Sequence, residues 1–428
     1  MRAPSLLAAA LAALLAPLSA QQVARQWTDL QGRKVEATFA GLEGDSVLLR
    51  MGNGQTVPFP LARLSEEDQA FARTAGGAGG GSTTPSAEPS RLPIEKRVWP
   101  GTVAVPTRSV EIRAVEENAA ARRYVYQSEA FEFTSQAKLA GSVMTEVART
   151  FEATRAVVDA LPWGVVCRPP DGLPRFLAAL YETREDYVAA GGPELSGGVY
   201  NTAEKTFRIP FASLGLEKRG QTYFKSDFSS DTLVHEITHQ MMHDYLAFLP
   251  KWVIEGTAEY VEMLPYRAGV FRADSHKTAM KEAIDSWAKY GFQPVIENLE
   301  AHLTQSRDAW DADSATAERM REMYHKSHLL VYYFCHLDSD KTGARFLRFM
   351  ESVHGEVAAM RAFFADPRVK RLEGGRFSYP RDLKPPPFND EAAVLRHVGL
   401  LVDERPYKKL AEEIVTAYRA IGVKVDVR

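Results

Sequence analysis

The sequence predicts an α+β protein of two folded units joined by a flexible stretch. Three observations carry that reading. Residues 26–73 alternate between apolar and polar with the period of strands. Residues 74–92 (TAGGAGGGSTTPSAEPSRL) consist almost wholly of Gly, Ser, Thr, Ala and Pro, a composition that buries no core and serves as a linker. In residues 93–428, short strand-like runs give way to long segments of helical period, which predicts a small mixed sheet with helices gathered after it.

The chain as a whole sets limits on partners. Its 428 residues are 45% hydrophobic and 25% charged, with a formal net charge of −3. Nothing in that balance points to nucleic acid or to an anionic membrane. The two cysteines, Cys167 and Cys335, cannot make a disulfide framework and offer no thiolate metal site. Their apolar neighbours favour buried thiols over a single bridge.

Residues 1–20 read as a signal peptide: Arg2, the apolar run Leu6 to Leu15, and a small residue, Ala20, at the end. The run is short for a membrane span, and no later stretch qualifies as one. The mature protein is expected to be secreted or periplasmic.

Within residues 21–73 the elements follow in order. Trp27 to Arg33 is a strand entering a turn; Val35 to Gly41 and Ser46 to Met51 alternate; Gly52-Asn53-Gly54 turns the chain into Gln55 to Phe59. Ser65 is placed to cap a short helix with acids in its first turn. The pattern W-T-D…G-R…V…G…V-x-L…G…V-P…L-S-x-x-D resembles the small SH3-like β-barrel module of yeast actin-patch adaptors. The resemblance implies peptide or wall contact through this module, or a passive appended barrel. If the module is a tether, deleting residues 21–92 changes location and leaves any peptide cleavage intact.

In the larger unit, Ser109 to Val115 and Ala130 to Thr134 alternate like strands. Gln136 to Leu161 is helical, and Phe176 to Tyr181 reads as a buried strand. Thr183 caps a short helix that ends at Gly191-Gly192. Gly197 to Asn201 and Thr206 to Pro210 form a hairpin. Ser229 or Ser230 caps the next helix. Further helices are expected at residues 275–289, 315–337, 344–353 and from Glu404 or Pro406 to Ile421, with a Pro/Gly-rich loop over 367–389.

The stretch with the most chemistry is Asp231 to Glu262. His235-Glu236-Ile237-Thr238-His239 is an H-E-x-x-H pattern. On a helix the two imidazoles share one face, and Glu236 lies beside them without ligating. Sixteen positions on, Glu255 sits in Trp252-Val253-Ile254-Glu255-Gly256-Thr257-Ala258-Glu259-Tyr260. With a first helix ending near Tyr245 and a turn from Leu246 to Lys251, two antiparallel helices bring Glu255 level with His239. His235, His239 and Glu255 are then three ligands of a Zn2+ ion with an open fourth position. Glu255, Glu259 and Glu262 fall on one helix face, where like charges repel unless a cation and its ligands face them. Glu259 is placed to accept the far ring N–H of His235 or His239. His243 reads as a helix-end residue.

These residues resemble the gluzincin metallopeptidases, the clan of thermolysin and the aminopeptidase N family. The resemblance implies a zincin-like catalytic domain in which Glu236 activates water. Tyr324-His325-Lys326-Ser327-His328-Leu329-Leu330 resembles the aminopeptidase Y-x-K-G-x-x-L-L segment, which implies an oxyanion-stabilising role for Tyr324. Ser327 stands where that pattern has Gly, so Tyr324 as a helix-surface aromatic and His325 or His328 as donors stay open. The aminopeptidase G-x-M-E-N strand has no counterpart in Ser196 to Glu204, so aminopeptidase activity is not expected. The expected function is a secreted zinc peptidase, endopeptidase by preference, acting on a peptide or protein substrate. The alternative is a catalytically inactive zinc-containing envelope or peptide-binding protein.

Overall fold

The computed structural model describes residues 25–43, 46–51, 55–65, 67–69, 72, 92–194, 196–226, 231–339, 341–372 and 376–428. The predicted signal peptide, the Gly52–Gly54 turn, nearly all of the 74–92 linker and the caps Ser229 and Ser230 lie outside the described residues. The chain divides between Glu88 and Pro89 into two compact units.

The N-terminal unit holds four strands, β1 (Arg25–Thr28), β2 (Lys34–Glu43), β3 (Ser46–Met51) and β4 (Thr56–Pro60), paired antiparallel in that order. A bulge between Phe39 and Gly41 re-aims β2. Alternation puts Trp27, Ala37, Phe39, Val47 and Leu49 into one small core with Leu64 and Ala72. Two buried acids close the ends. Asp29 accepts from the backbone N–H of Gln31 and Arg33, which fixes the predicted turn. Asp68 accepts from the Thr28 N–H and the Ser65 hydroxyl, and Ser65 Oγ accepts from the Asp68 N–H as the cap reading required.

The larger unit is built on a six-stranded sheet. Its strands, after a short β5 (Thr102–Ala104), are β6 (Arg113–Asn118), β7 (Arg123–Gln127), β8 (Phe131–Ser135), β9 (Phe176–Tyr181), β10 (Val199–Asn201) and β11 (Thr206–Pro210), in the order β10-β11-β9-β8-β7-β6. The central pairs β8–β9 and β9–β11 are parallel, and the flanking pairs are antiparallel. The mixed sheet is as expected, with two local corrections. The first strand starts at Arg113 rather than Ser109, because Thr107–Ser109 tightens into a 3-10 turn. The predicted helix at Gln136 starts only at Gly141: Gln136 still donates its N–H to Leu180 O and so extends the strand edge.

The crossover helix α1 (Gly141–Ala160) covers the sheet. Phe151 is fully buried and meets Phe133, Phe131 and Phe207 at ring-centroid distances of 5.0, 5.3 and 5.8 Å. A buried aromatic cluster of this kind contributes a few kcal/mol per ring, at about 25 cal/mol per Å² of apolar surface. It sets the sheet rigidly beneath the helices that follow. Thr183 caps α2 (Arg184–Ala189) through the Asp186 N–H, as predicted. Then come α3 (Asp231–Met241), α4 (Lys251–Met263), α5 (His276–Lys289), α6 (Leu299–Thr304), α7 (Arg307–Asp313), α8 (Ala317–Tyr332), α9 (Ala344–Ala365), α10 (Glu391–Val402) and α11 (Tyr407–Ala420). Helices α6, α7 and α10 were not expected. Each opens on a side-chain cap (Asn298, Ser306, Asp390). Helix α8 runs on through a π turn at Tyr333–Leu337. Cys167 and Cys335 are both buried free thiols. Among the described residues no helix is long and apolar enough to cross a membrane.

Candidate metal centre

Helices α3 and α4 meet because their sequences leave one polar face each inside an otherwise apolar wall. On α4, Trp252 and Tyr260 are fully buried and act as anchors. Trp252 donates its indole N–H to Leu303 O at 3.2 Å, and the Tyr260 hydroxyl lies 2.8 Å from His336 Nε2. Those two fix the helix rotation, and so the direction of Glu255, Glu259 and Glu262. Helix α3 ends at Met241 with a 3-10 turn at His243–Tyr245, slightly earlier than the predicted end at Tyr245. Pro250 then starts α4.

The structure brings His235, His239 and Glu255 together, with one ligand atom from each within 4.8 Å of the others. The Nε2 atoms of His235 and His239 both lie 3.3 Å from the same carboxylate oxygen, Glu255 Oε2. Zinc bonds to imidazole nitrogen and carboxylate oxygen are about 2.0–2.2 Å long, so neighbouring donors on a zinc tetrahedron stand about 3.3–3.5 Å apart. The donor set and its spacing fit that ion. His235 and Glu255 are buried, and the side chain of His239 is 12% exposed.

The electrostatics point the same way. Burial opposes ionisation of Glu255, but the two imidazoles outweigh it and hold this carboxyl well below the usual carboxylate range. Burial raises Glu236. Burial and the neighbouring Glu262 push Glu259 up to about 8. Four carboxyl groups, those of Glu236, Glu255, Glu259 and Glu262, surround the two imidazoles. Glu236 is oriented by the sheet: its Oε2 accepts the Tyr200 N–H at 2.9 Å, from edge strand β10.

Around the ligands the structure departs from expectation at one residue and adds another. His235 Nδ1 lies 3.0 Å from Glu262 Oε2 and 3.5 Å from Glu259 Oε1. The hydrogen-bond partner of His235 is therefore Glu262, and Glu259, the expected acceptor, stands behind it, 3.9 Å from His328 Nδ1. The reason is length of reach: seven positions from Glu255, Glu262 is two helical turns on and level with the outer edge of the His235 ring. Its place on the same helix face was the available signal. The Nδ1 of His239 is buried without a hydrogen-bond partner among the described residues.

Tyr324, on α8, stacks on His235 with ring centroids 5.6 Å apart and planes 13° apart. Burial first, and then the Glu255 and Glu236 carboxylates, push its phenol far above its ordinary range, so it stays protonated and able to donate. His325 stacks instead on Trp287 at 4.0 Å, and His328 Nε2 faces Met263 Sδ at 3.1 Å. Of the three candidates on α8, only Tyr324 lies against the ligand rings. Ser327 is fully buried and occupies the helix contact: a Cβ on Gly256 would stand 2.5 Å from Ser327 O, so α4 must carry glycine there. His243 is spent on the Tyr200 hydroxyl, 2.7 Å away, and is not part of the ligand group. Glu204 pairs with Arg208, outside the centre.

Residues 17–78 match the family model of SLA1 homology domain 1. No curated protein matches the chain. The N-terminal unit thus carries an SH3-like module of the SLA1 homology domain 1 family, a kind of module that suggests protein interaction.

Proposed function

We propose that the larger unit is a zinc-dependent peptidase of gluzincin type, secreted or periplasmic, with His235, His239 and Glu255 as its ligands. The observation that carries this reading is the pair of imidazole Nε2 atoms at 3.3 Å from one Glu255 oxygen, with a half-buried carboxylate, Glu236, held beside them by the Tyr200 N–H. A zinc ion in such a site lowers the pKa of water and polarises a carbonyl.

The protein groups divide the rest of the work. Glu236 takes the proton of the attacking water and passes it to the leaving amine. Its raised proton affinity suits a base that must also act as an acid. The Tyr324 hydroxyl donates to the oxygen on which negative charge develops. Glu262 accepts the Nδ1–H of His235, which selects the tautomer whose Nε2 lone pair faces the ligand point. Strand β10, an edge strand, offers its backbone to an extended peptide. The SH3-like module contacts a peptide or wall partner and is not needed for hydrolysis.

The test uses Glu236→Gln. Zinc content by mass spectrometry should remain near that of wild type, while cleavage of a fluorogenic peptide mixture disappears. A wild-type protein that holds zinc and cleaves no peptide would make this an inactive zinc-containing binding protein instead.

A further inference from the structure

We infer that the cleft beside the metal ligands takes an anionic group of its ligand, a side-chain or terminal carboxylate. That the ligand is a peptide rests on the function proposed above; the charge preference rests on the cleft alone. A cavity of about 470 Å³ is walled by His239 and Glu255 together with Lys251 and Arg307. Lys251 precedes Glu255 by one helical turn, so the two side chains rise from one face of α4, about 5–6 Å apart at Cβ. A carboxylate held there lies within one residue's reach of the ligand point.

The two cations are built differently. Arg307 is tethered before any ligand arrives: its Nη2 donates to Leu246 O at 2.6 Å and to Leu249 O at 2.8 Å. Its Nε and Nη1 make no hydrogen bond among the described residues, which leaves single charged N–H donors, rather than a complete fork, for an incoming carboxylate. Asp311 and Glu391 are the nearest acids, and Glu391 accepts the backbone N–H of Arg307 at 3.3 Å. Lys251 has one carboxylate neighbour, Asp311, at 3.5 Å, and that acid is 65% exposed. An exposed pair of this kind is weak and easily exchanged. The remaining acid of the wall, Asp244, is neutralised by Arg361 at 2.8 Å. The cleft therefore sets two cations, Lys251 and the tethered Arg307, in the same wall as His239 and Glu255. Fixing the guanidinium in advance removes part of the ordering cost of binding.

The experiment measures binding to zinc-loaded Glu236→Gln protein, which does not turn over. The probes are fluorescent peptides in matched pairs: one pair has Glu or Gln inside an amidated peptide, and the other has a free or amidated C-terminus. In at least one pair the carboxylate form should bind roughly tenfold to hundredfold tighter, the range of one charge-assisted contact. The pair that responds identifies the source of the carboxylate. Lys251→Met should reduce the ratio, and Arg307→Lys should reduce it although the charge is kept, because the tether to Leu246 O and Leu249 O that fixes the cation is lost. Should Arg307→Lys fail to fold, Lys251→Met and the salt dependence of the ratio carry the test. Equal affinity within both pairs, or ratios untouched by Lys251→Met, overturn the inference. Charge discrimination by a protein that cleaves nothing would sink the peptidase reading and leave this one standing; peptide cleavage without discrimination would do the reverse.

Discussion

His235 faces carboxylates through both ring nitrogens, Glu255 on one side and Glu262 on the other. That arrangement makes Glu262 a sensitive probe. Glu262→Gln should leave the three ligands in place and weaken zinc binding by roughly 10- to 100-fold, read by competition with a chromophoric chelator. Glu259→Gln should do less, since Glu259 sits farther from the ring; equal losses at the two positions would refute the assignment. Tyr324→Phe removes a hydroxyl and keeps the stacking on His235. Its expected signature is a loss of roughly 10²–10³ in kcat with little change in KM, because the hydrogen bond strengthens only as charge develops. A change confined to KM would assign Tyr324 to ground-state binding.

At the scale of elements, the decisive contact is between α4 and α8. Gly256 lies so near α8 that a Cβ would meet Ser327 O at 2.5 Å and Val331 Cγ2 at 2.7 Å. Backbone cannot yield as a flexible side chain would, so Gly256→Ala should push the helices apart at a cost of about 1–3 kcal/mol. Glu255 is the adjacent residue and moves with them. Thermal melting should show a lowered Tm both with and without zinc, together with weaker zinc retention. An unchanged Tm would mean that the helices separate freely, contrary to the buried, fully packed faces of Trp252 and Tyr260.

For the whole molecule, acid stability is set in part by histidines kept neutral. His302 is buried against Trp310, and burial, with Lys326 nearby, pushes its pKa down to about 3. In the unfolded chain the same ring titrates near 6.5. Above that pH neither state binds the proton, and the contribution is complete. As pH falls from about 6.5 toward 3 the unfolded chain gains a proton that the folded one refuses, so stability declines by about 1.4 kcal/mol per pH unit from this group. His325, pushed down to about 4 by burial, acts in the same direction. Denaturant melts at pH 7, 6 and 5 should show the decline, and His302→Gln should flatten it. The split between Glu88 and Pro89 adds a second expectation at this scale: residues 89–428 alone should keep the zinc content and the melting behaviour of the full chain's larger unit.

Much of this was legible in the sequence, and the rest was not, for physical reasons that differ by residue. The spacing of His235, Glu236 and His239 determines a shared helix face by itself, because the helical period is local. The alternation of Ala130 to Thr134 and the capping of α2 by Thr183 are local in the same way. The partner of His235 is another matter. Glu259 and Glu262 lie on the same face, and only the packed depth of α3 against α4 decides that Glu262 reaches the ring. The choice among Tyr324, His325 and His328 depends on how α8 is rotated, which the close approach at Gly256 fixes. The Tyr200 N–H that orients Glu236 comes from a strand whose place at the sheet edge is set by non-local pairing. Periodicity is a property of neighbours along the chain; which polar group meets which across elements is decided only when the packed core leaves each side chain one place to go.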